Sequence, residues 1–205
     1  MSSPVWPMLA AERSGFVAYL PTLSEADWRL PSPCPGWSVR DQVAHIVAGA
    51  NTTPLTFGPS LAISGFSFDK LAVRGIRQQG DRSSTELTTA LSARVHAKTL
   101  PGLAYLGEVL VHGEDVRRAV GAPPGDHPEA HLVAVADYFK KTGGPVHGKR
   151  RIEGLKLSAT DVKWTTGSGP EVQGPLLLLI VAMCGRGFAV EGLSGPGRDK
   201  LASRM

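Results

Sequence analysis

The stretch Pro33-Cys34-Pro35-Gly36-Trp37-Ser38-Val39-Arg40-Asp41-Gln42-Val43-Ala44-His45 decides how the chain is read. Its first residues carry prolines and a glycine, which interrupt regular structure, and its last residues change to a helical pattern. Ser38 is a helix cap, because its hydroxyl can accept a free N–H of the first turn. Asp41, three residues on, faces the positive end of the helix dipole. A helix is therefore expected from Val39 to about Gly49. It carries one imidazole, His45, among the apolar Val43, Ala44, Ile46 and Val47.

Upstream, Met8, Leu9, Phe16, Val17 and Leu20 recur at helical spacing with Glu12 and Arg13 between them, so an amphipathic helix is expected from Val5 to Leu20, closed by Pro21. The Pro- and Trp-rich loop from Trp28 to Trp37 joins it to the helix above. Downstream, Pro54, Pro59 and two glycines predict a mobile loop, and a helical rhythm resumes at Phe68, Leu71, Val73 and Ile76. Ser83, Ser84 and Glu86 cap a further helix through Leu87, Leu91, Val95 and His96 to Pro101. The next helix, Leu103 to Val120, ends at Gly121 with Arg117 and Arg118 at the negative end of its dipole. Four or five helices with short links predict a bundle.

A run of Ala, Pro, Gly and Asp around residues 121–128 marks the expected boundary, giving a helical bundle over 1–125 and a small C-terminal domain over 126–205. In the second part a helix is expected from Glu129 to Lys141. Leu155, Leu157 and Ala159 then alternate with Lys156 and Ser158, and after Thr160-Asp161 the alternation resumes at Val162 and Trp164. This is a β-hairpin pattern. Gly167 to Gly174 is expected to be a loop, followed by a buried helix from Leu176 to Cys184 that continues to Arg186, with Pro175 suited to its start. The fold class is α+β, a helical bundle followed by a small α/β domain.

With 205 residues, 42% hydrophobic and 20% charged, the composition is that of a globular protein and excludes a disordered chain, a collagen, a coiled coil and a disulfide scaffold. A net charge of +4 is too mild for a nucleic-acid surface. The dense basic cluster Lys149-Arg150-Arg151 is read as a solvated turn. Two distant cysteines, Cys34 and Cys184, and a start without an apolar leader core predict a reduced, cytoplasmic protein. The apolar run from Leu176 to Cys184 is far short of the roughly 20 residues of a membrane-spanning helix, so no membrane association is expected.

Glu108 and His112, four apart on one helix, stack a carboxylate and an imidazole on one face. With His45 from a second helix they make a His, Glu, His set, which on zinc leaves a position open for water or a thiol. Spacing alone also fits an ordinary helix-surface pair and a hydrogen-bonded core histidine. His127 and His131 share the spacing but sit beside Asp126 and Pro128, where exposure explains them, and His96 and His147 belong to no constellation. Cys34 reads as a packing residue and Trp37 as the pin of its loop. Neither Gly167 to Gly174 nor Gly185 to Gly192 has the pattern of a phosphate cradle.

The block from Pro33 to His45, followed by Gly107-Glu108-Val109-Leu110-Val111-His112-Gly113-Glu114-Asp115-Val116, resembles the mycothiol-dependent maleylpyruvate isomerase family within the DinB-like metalloprotein superfamily. Leu155 to Trp164 and Gly169 to Gly174, leading to Gly185-Arg186, are similar to that family's C-terminal domain. The resemblance implies a DinB-like four-helix bundle with a divalent metal, usually zinc, on His45, Glu108 and His112. It also implies mycothiol, the low-molecular-weight thiol of actinobacteria, as co-substrate. The activity implied is that of a metal-dependent thiol S-transferase or isomerase on a small electrophile such as a maleylpyruvate-like compound. Arg186 matches the position of a catalytic arginine that can grip a substrate carboxylate, although a helix-end arginine answering carbonyls reads equally well. Asp41 or Asp115 is suited to orient a ligand imidazole. Glu114 stands where relatives often carry an aromatic residue, and its spacing from His112 turns it away from the metal. A DinB-like hydrolase and a non-catalytic metal- or small-molecule-binding protein remain alternatives, as a monomer or a homodimer.

Overall fold

The computed structural model describes residues 4–99, 101–143 and 146–205. The chain divides into two compact units, residues 1–126 and 127–205. In the first, helices α1 (Val5–Tyr19), α2 (Val39–Ala50), α5 (Ser84–Ser92) and α6 (Gly102–Ala119) form a bundle, with α1 and α2 each packed on α5 and α6. Leu9, Phe16, Val43, Val47, Leu87, Leu91, Leu106 and Leu110 fill its centre. Helix α2 starts where its cap dictates: Ser38 Oγ accepts from Asp41 N at 3.2 Å, and Asp41 Oδ2 accepts from Ser38 N at 2.9 Å.

Helix α1 differs from its expected pattern because Glu12 and Arg13 are buried with the apolar residues. Arg13 Nη1 donates to the carbonyls of Ala97 at 2.7 Å and Arg94 at 3.2 Å, just beyond α5. That segment is a series of turns, and α5 stops at Ser92 instead of running to Pro101. The expected loop after α2 is helical: α3 covers Pro54–Ile63 and α4 Phe68–Gln78. Pro54 takes the first helical position, where its missing N–H costs nothing, and Thr53 with Thr56 completes a capping box. Helix α4 lies along α2, with Gly75 so close to Ala48 that an added Cβ would stand 3.0 Å from the alanine methyl. Leu55, Ile63, Phe66 and Phe68, in and between α3 and α4, are exposed.

The second unit contains α7 (Glu129–Phe139), α8 (Gly148–Arg151), β1 (Lys156–Ala159), β2 (Thr165–Gly167), β3 (Glu171–Gly174), α9 (Leu176–Met183) and α10 (Arg198–Ala202). The strand order is β2-β1-β3, with β1 antiparallel to β2 and parallel to β3. The hairpin has a longer connection than expected. Ser158 pairs with Thr165, and residues 160–164 form the link, drawn out as Trp164 Nε1 donates to Asp137 Oδ1 on α7 at 3.1 Å. The glycine-rich stretch is also more ordered than a loop, since Glu171–Gly174 pairs with β1 from Lys156↔Glu171 to Ala159↔Gly174. Gly167 turns the chain between β2 and β3 at φ +73°, where an added Cβ would meet the Leu155 carbonyl oxygen at 2.2 Å.

Helix α9 is buried against α7 and the sheet through Leu176, Leu179 and Ile180. It ends at Met183, short of Arg186, as Gly185 turns to φ +83° and Arg151 Nη1 takes the Met183 carbonyl at 2.7 Å. The basic cluster is thus one short helical turn, α8, whose third member tucks beneath the end of α9. No helix among the described residues is long and apolar enough to cross a membrane.

Candidate metal centre

Helices α2 and α6 approach closely because α2 offers a glycine where α6 offers a ring. A Cβ on Gly49 would lie 2.8 Å from Tyr105 Cε1. One turn towards the start of α2 is His45, and one turn further along α6 is Glu108. His45 Nε2 lies 2.8 Å from Glu108 Oε2, and His112 Nε2 lies 3.2 Å from the same oxygen. The donor atoms of His45, Glu108 and His112 all fall within 4.8 Å of one another. The two imidazoles meet edge to face with centroids 4.8 Å apart.

Behind His112 stands Asp115, fully buried one turn further along α6. Its Oδ2 lies 3.2 Å from His112 Nδ1. An ionised carboxylate only accepts hydrogen bonds, so this contact places a proton on Nδ1 and, in the neutral ring, leaves the Nε2 lone pair facing Glu108. Two acceptors at 3.2 Å need something positive between them. In the metal-free chain that is an extra proton. Burial alone would raise the Glu108 carboxyl, but hydrogen bonds from His112 and His45 and their charges hold it far below the ordinary carboxylate range. Burial alone would lower His112, but hydrogen bonds with Asp115, Cys34 and Glu108 raise it well above its usual value. A divalent cation meets the same demand, and two imidazole nitrogens with one carboxylate oxygen form a donor set suited to zinc and its neighbours. The residues present therefore fit a metal.

The loop before α2 covers this cluster. The Trp37 indole lies 5.9 Å from the His112 ring centroid at 28° and 5.1 Å from that of His45. Cys34, expected only to pack, places its Sγ 3.6 Å from Asp115 Oδ2, and Cys34, His112 and Asp115 form a second group of donor atoms within 4.8 Å. Sequence spacing misses both loop residues because Cys34 and Asp115 are 81 positions apart. The available signal is Gln42, an amide on the buried face of α2 that needs a polar partner from the loop and finds Ser32 Oγ at 2.8 Å.

The other candidates separate. Of the two aspartates suited to orient an imidazole, Asp115 faces His112 and Asp41 is engaged in the cap of α2. Glu114 points elsewhere, accepting from Gly125 N at 2.8 Å and pairing with Arg117 at 3.6 Å. Arg186, in the second unit, donates from Nη1 to the Cys184 carbonyl at 3.1 Å. His131 is buried on α7 and is not in either cluster.

The chain is thus a metalloprotein-like helical bundle, with a His, Glu, His cluster between two of its helices, followed by a small α/β unit. The family described as mycothiol maleylpyruvate isomerase N-terminal domain matches residues 9–137, and the chain belongs to that family. Among solved structures, the mycothiol-dependent maleylpyruvate isomerase is similar at 17% identity and a TM-score of 0.65, over 94% of this chain and 91% of that one. A histidine-to-alanine mutant of that enzyme is similar at a TM-score of 0.64 and the same identity and coverage. No curated protein matches this sequence.

Proposed function

We propose that this chain is a metal-dependent enzyme that uses mycothiol as co-substrate, either to isomerise a small electrophile of the maleylpyruvate type or to attach the thiol to it through sulfur. One observation carries the reading: His45 Nε2, Glu108 Oε2 and His112 Nε2 converge within 4.8 Å in the family's helical bundle, with acceptor turned towards acceptor. A divalent cation held by these three residues, zinc by its donor set, would keep a thiol ionised as the thiolate, the nucleophile that adds to an activated double bond and leaves after rotation.

The chain's own residues supply the setting. Asp115 holds the proton on His112 Nδ1 and so keeps the Nε2 lone pair aimed at the centre. Trp37 covers both imidazoles and limits the approach of water. Arg186 supplies a planar, permanently charged fork able to hold a substrate carboxylate by two hydrogen bonds.

The test is turnover of maleylpyruvate by the zinc-loaded chain with and without mycothiol, alongside Glu108→Ala and Arg186→Lys. Isomerisation that requires both zinc and thiol, is abolished in Glu108→Ala and shows a raised KM in Arg186→Lys is expected. Cleavage of substrate without thiol, or zinc binding without turnover of any activated double bond, would refute the reading.

A further inference from the structure

We propose that Cys34 is a positioning residue of the metal centre, fixing through Asp115 the ring of His112. The inference rests on the metal-binding reading above and extends it to a residue outside the three donors.

Asp115 Oδ2 receives hydrogen bonds from His112 Nδ1 at 3.2 Å and from Cys34 Sγ at 3.6 Å, and the Cys34 thiol also lies against His112 itself. A carboxylate held from one side can rotate about its terminal bond and exchange oxygens. Held from two directions by groups on different segments, its plane is defined, and the imidazole that depends on it keeps one orientation and one tautomer. Asp115 is wholly buried, so no water stands in for the second donor at low cost. A thiol is a weak donor to a neutral oxygen, but a buried anionic acceptor strengthens the bond.

The thiol is aimed by a closed set of backbone contacts. Ser32 N donates to Trp37 O at 2.8 Å, Trp37 N to Cys34 O at 3.1 Å, and Cys34 N to Ser32 Oγ at 3.3 Å. Gly36 makes the turn at φ +78°. The Ser32 hydroxyl is anchored by the fully buried Gln42 on α2. The loop that carries Trp37 over the imidazoles is thereby joined to α6 at the residue orienting one of them.

Cys34, His112 and Asp115 also satisfy the spacing of a metal trio. That use would place two cations on opposite nitrogens of one imidazole, whereas the hydrogen-bonded arrangement needs only the protons of His112 Nδ1 and of the Cys34 thiol, both met by Asp115 Oδ2. Zinc stoichiometry separates the two.

The experiment compares the full chain with Cys34→Ala, Cys34→Ser, Asp115→Asn and the Cys34→Ala/Asp115→Asn double variant. Zinc content and affinity are measured by chelator competition, and the tautomer of His112 by nitrogen-15 NMR of the metal-free protein at a pH above the raised titration of His112, where the ring is neutral. One zinc per chain is expected in every variant. Cys34→Ala should bind it about tenfold more weakly, the low end of the effect of losing an outer partner, and Cys34→Ser should recover most of the loss. Cys34→Ala should add little to Asp115→Asn, because both hold the same imidazole and touch each other. In the neutral ring so obtained, the proton of His112 should sit on Nδ1 in the parent and in Cys34→Ser, and be shared between the two nitrogens in Cys34→Ala. Unchanged affinity and tautomer in Cys34→Ala, additive losses in the double variant, or two zinc ions in the parent falling to one in Cys34→Ala would each overturn the proposal. If the parent binds no zinc, the metal reading fails, while the metal-free NMR comparison still decides whether Cys34 sets the ring.

Discussion

The two segments flanking α2 are both rich in proline and glycine, yet they end in opposite conditions. Residues 30–38 have almost no regular structure and are held by contacts to other parts of the bundle: Val39 N donates to Leu30 O, Gln42 reaches Ser32 and Cys34 meets Asp115. Residues 54–63 form a regular helix with a proper cap, and none of the described side chains in it is buried. Regularity and fixation are therefore separate properties. A backbone satisfied by its own helix needs nothing from the rest of the molecule, whereas an irregular loop must find each partner elsewhere and is locked once it has.

The largest effect should come from the centre that the locked loop covers. Glu108→Ala removes the oxygen shared by both imidazoles and is expected to weaken zinc binding by about a hundredfold or more, beyond the usual loss of an outer partner. Isothermal titration measures it. Wild-type affinity in that variant would mean the loop encloses an ordinary ion-paired helix interface.

Next come two changes to the framework on the locked side. Gly49→Ala forces a Cβ to 2.8 Å from Tyr105 Cε1, so ring and helix must part. Overpacking of this kind costs about 1–3 kcal/mol and should lower the denaturant midpoint. Gln42→Ala leaves the Ser32 hydroxyl without its buried donor, at a cost of about 1–3 kcal/mol. It should also raise the acrylamide quenching of Trp37 fluorescence.

How much of this is legible without coordinates follows from the range of each contact. A period of 3.6 residues places Glu108, His112 and Asp115 on one face of α6, and the cap at Ser38 sets where His45 falls on α2. The burial of Arg13, the strand Glu171–Gly174 and the contact of Cys34 with Asp115 each depend on a partner many residues away, which local pattern does not name. Strand β3 is especially concealed, being four residues long, bounded by Gly174 and parallel to a strand that an intervening one separates from it in sequence. Helix α3 escaped because its prolines suggest a break, although Pro54 stands where a proline favours a helix.

A smaller effect is the pH dependence of the metal-free chain. His112 is raised above its usual 6.5. A group with a higher folded than unfolded value stabilises fully below the unfolded value, and the contribution is lost as pH rises through the folded one. The Tm of the metal-free protein should therefore decline as pH climbs above 6.5, and Asp115→Asn should flatten that decline. Glu108, held below its usual 4.5, acts on the other limb: its contribution is present above 4.5 and is lost as pH falls towards the lowered value. Zinc displaces the extra proton, so its affinity should increase with pH where His112 is still protonated.

The smallest effect should come from α3, none of whose described side chains is buried, and from the turn after it. Leu55 is 87% exposed and Phe66 75% exposed, so neither gains much by leaving water when the chain folds. Substituting serine at Leu55 removes apolar surface that is solvated in the folded and unfolded chains alike. The change in unfolding free energy should stay within about 0.5 kcal/mol, as for surface positions generally. Phe66 sharpens the point because it adopts φ +58°, a region that bulky residues occupy at a cost. Phe66→Gly relieves that strain in the folded chain but also loosens the unfolded one, and the two changes oppose each other. A Tm close to that of the parent in both variants, against a clear drop in Gln42→Ala, would show that the locked loop and the regular helix differ in stability as they do in contacts. A loss in Leu55→Ser comparable to that in Gln42→Ala would mean that α3 is packed in solution, and the contrast between the two flanks of α2 would fall.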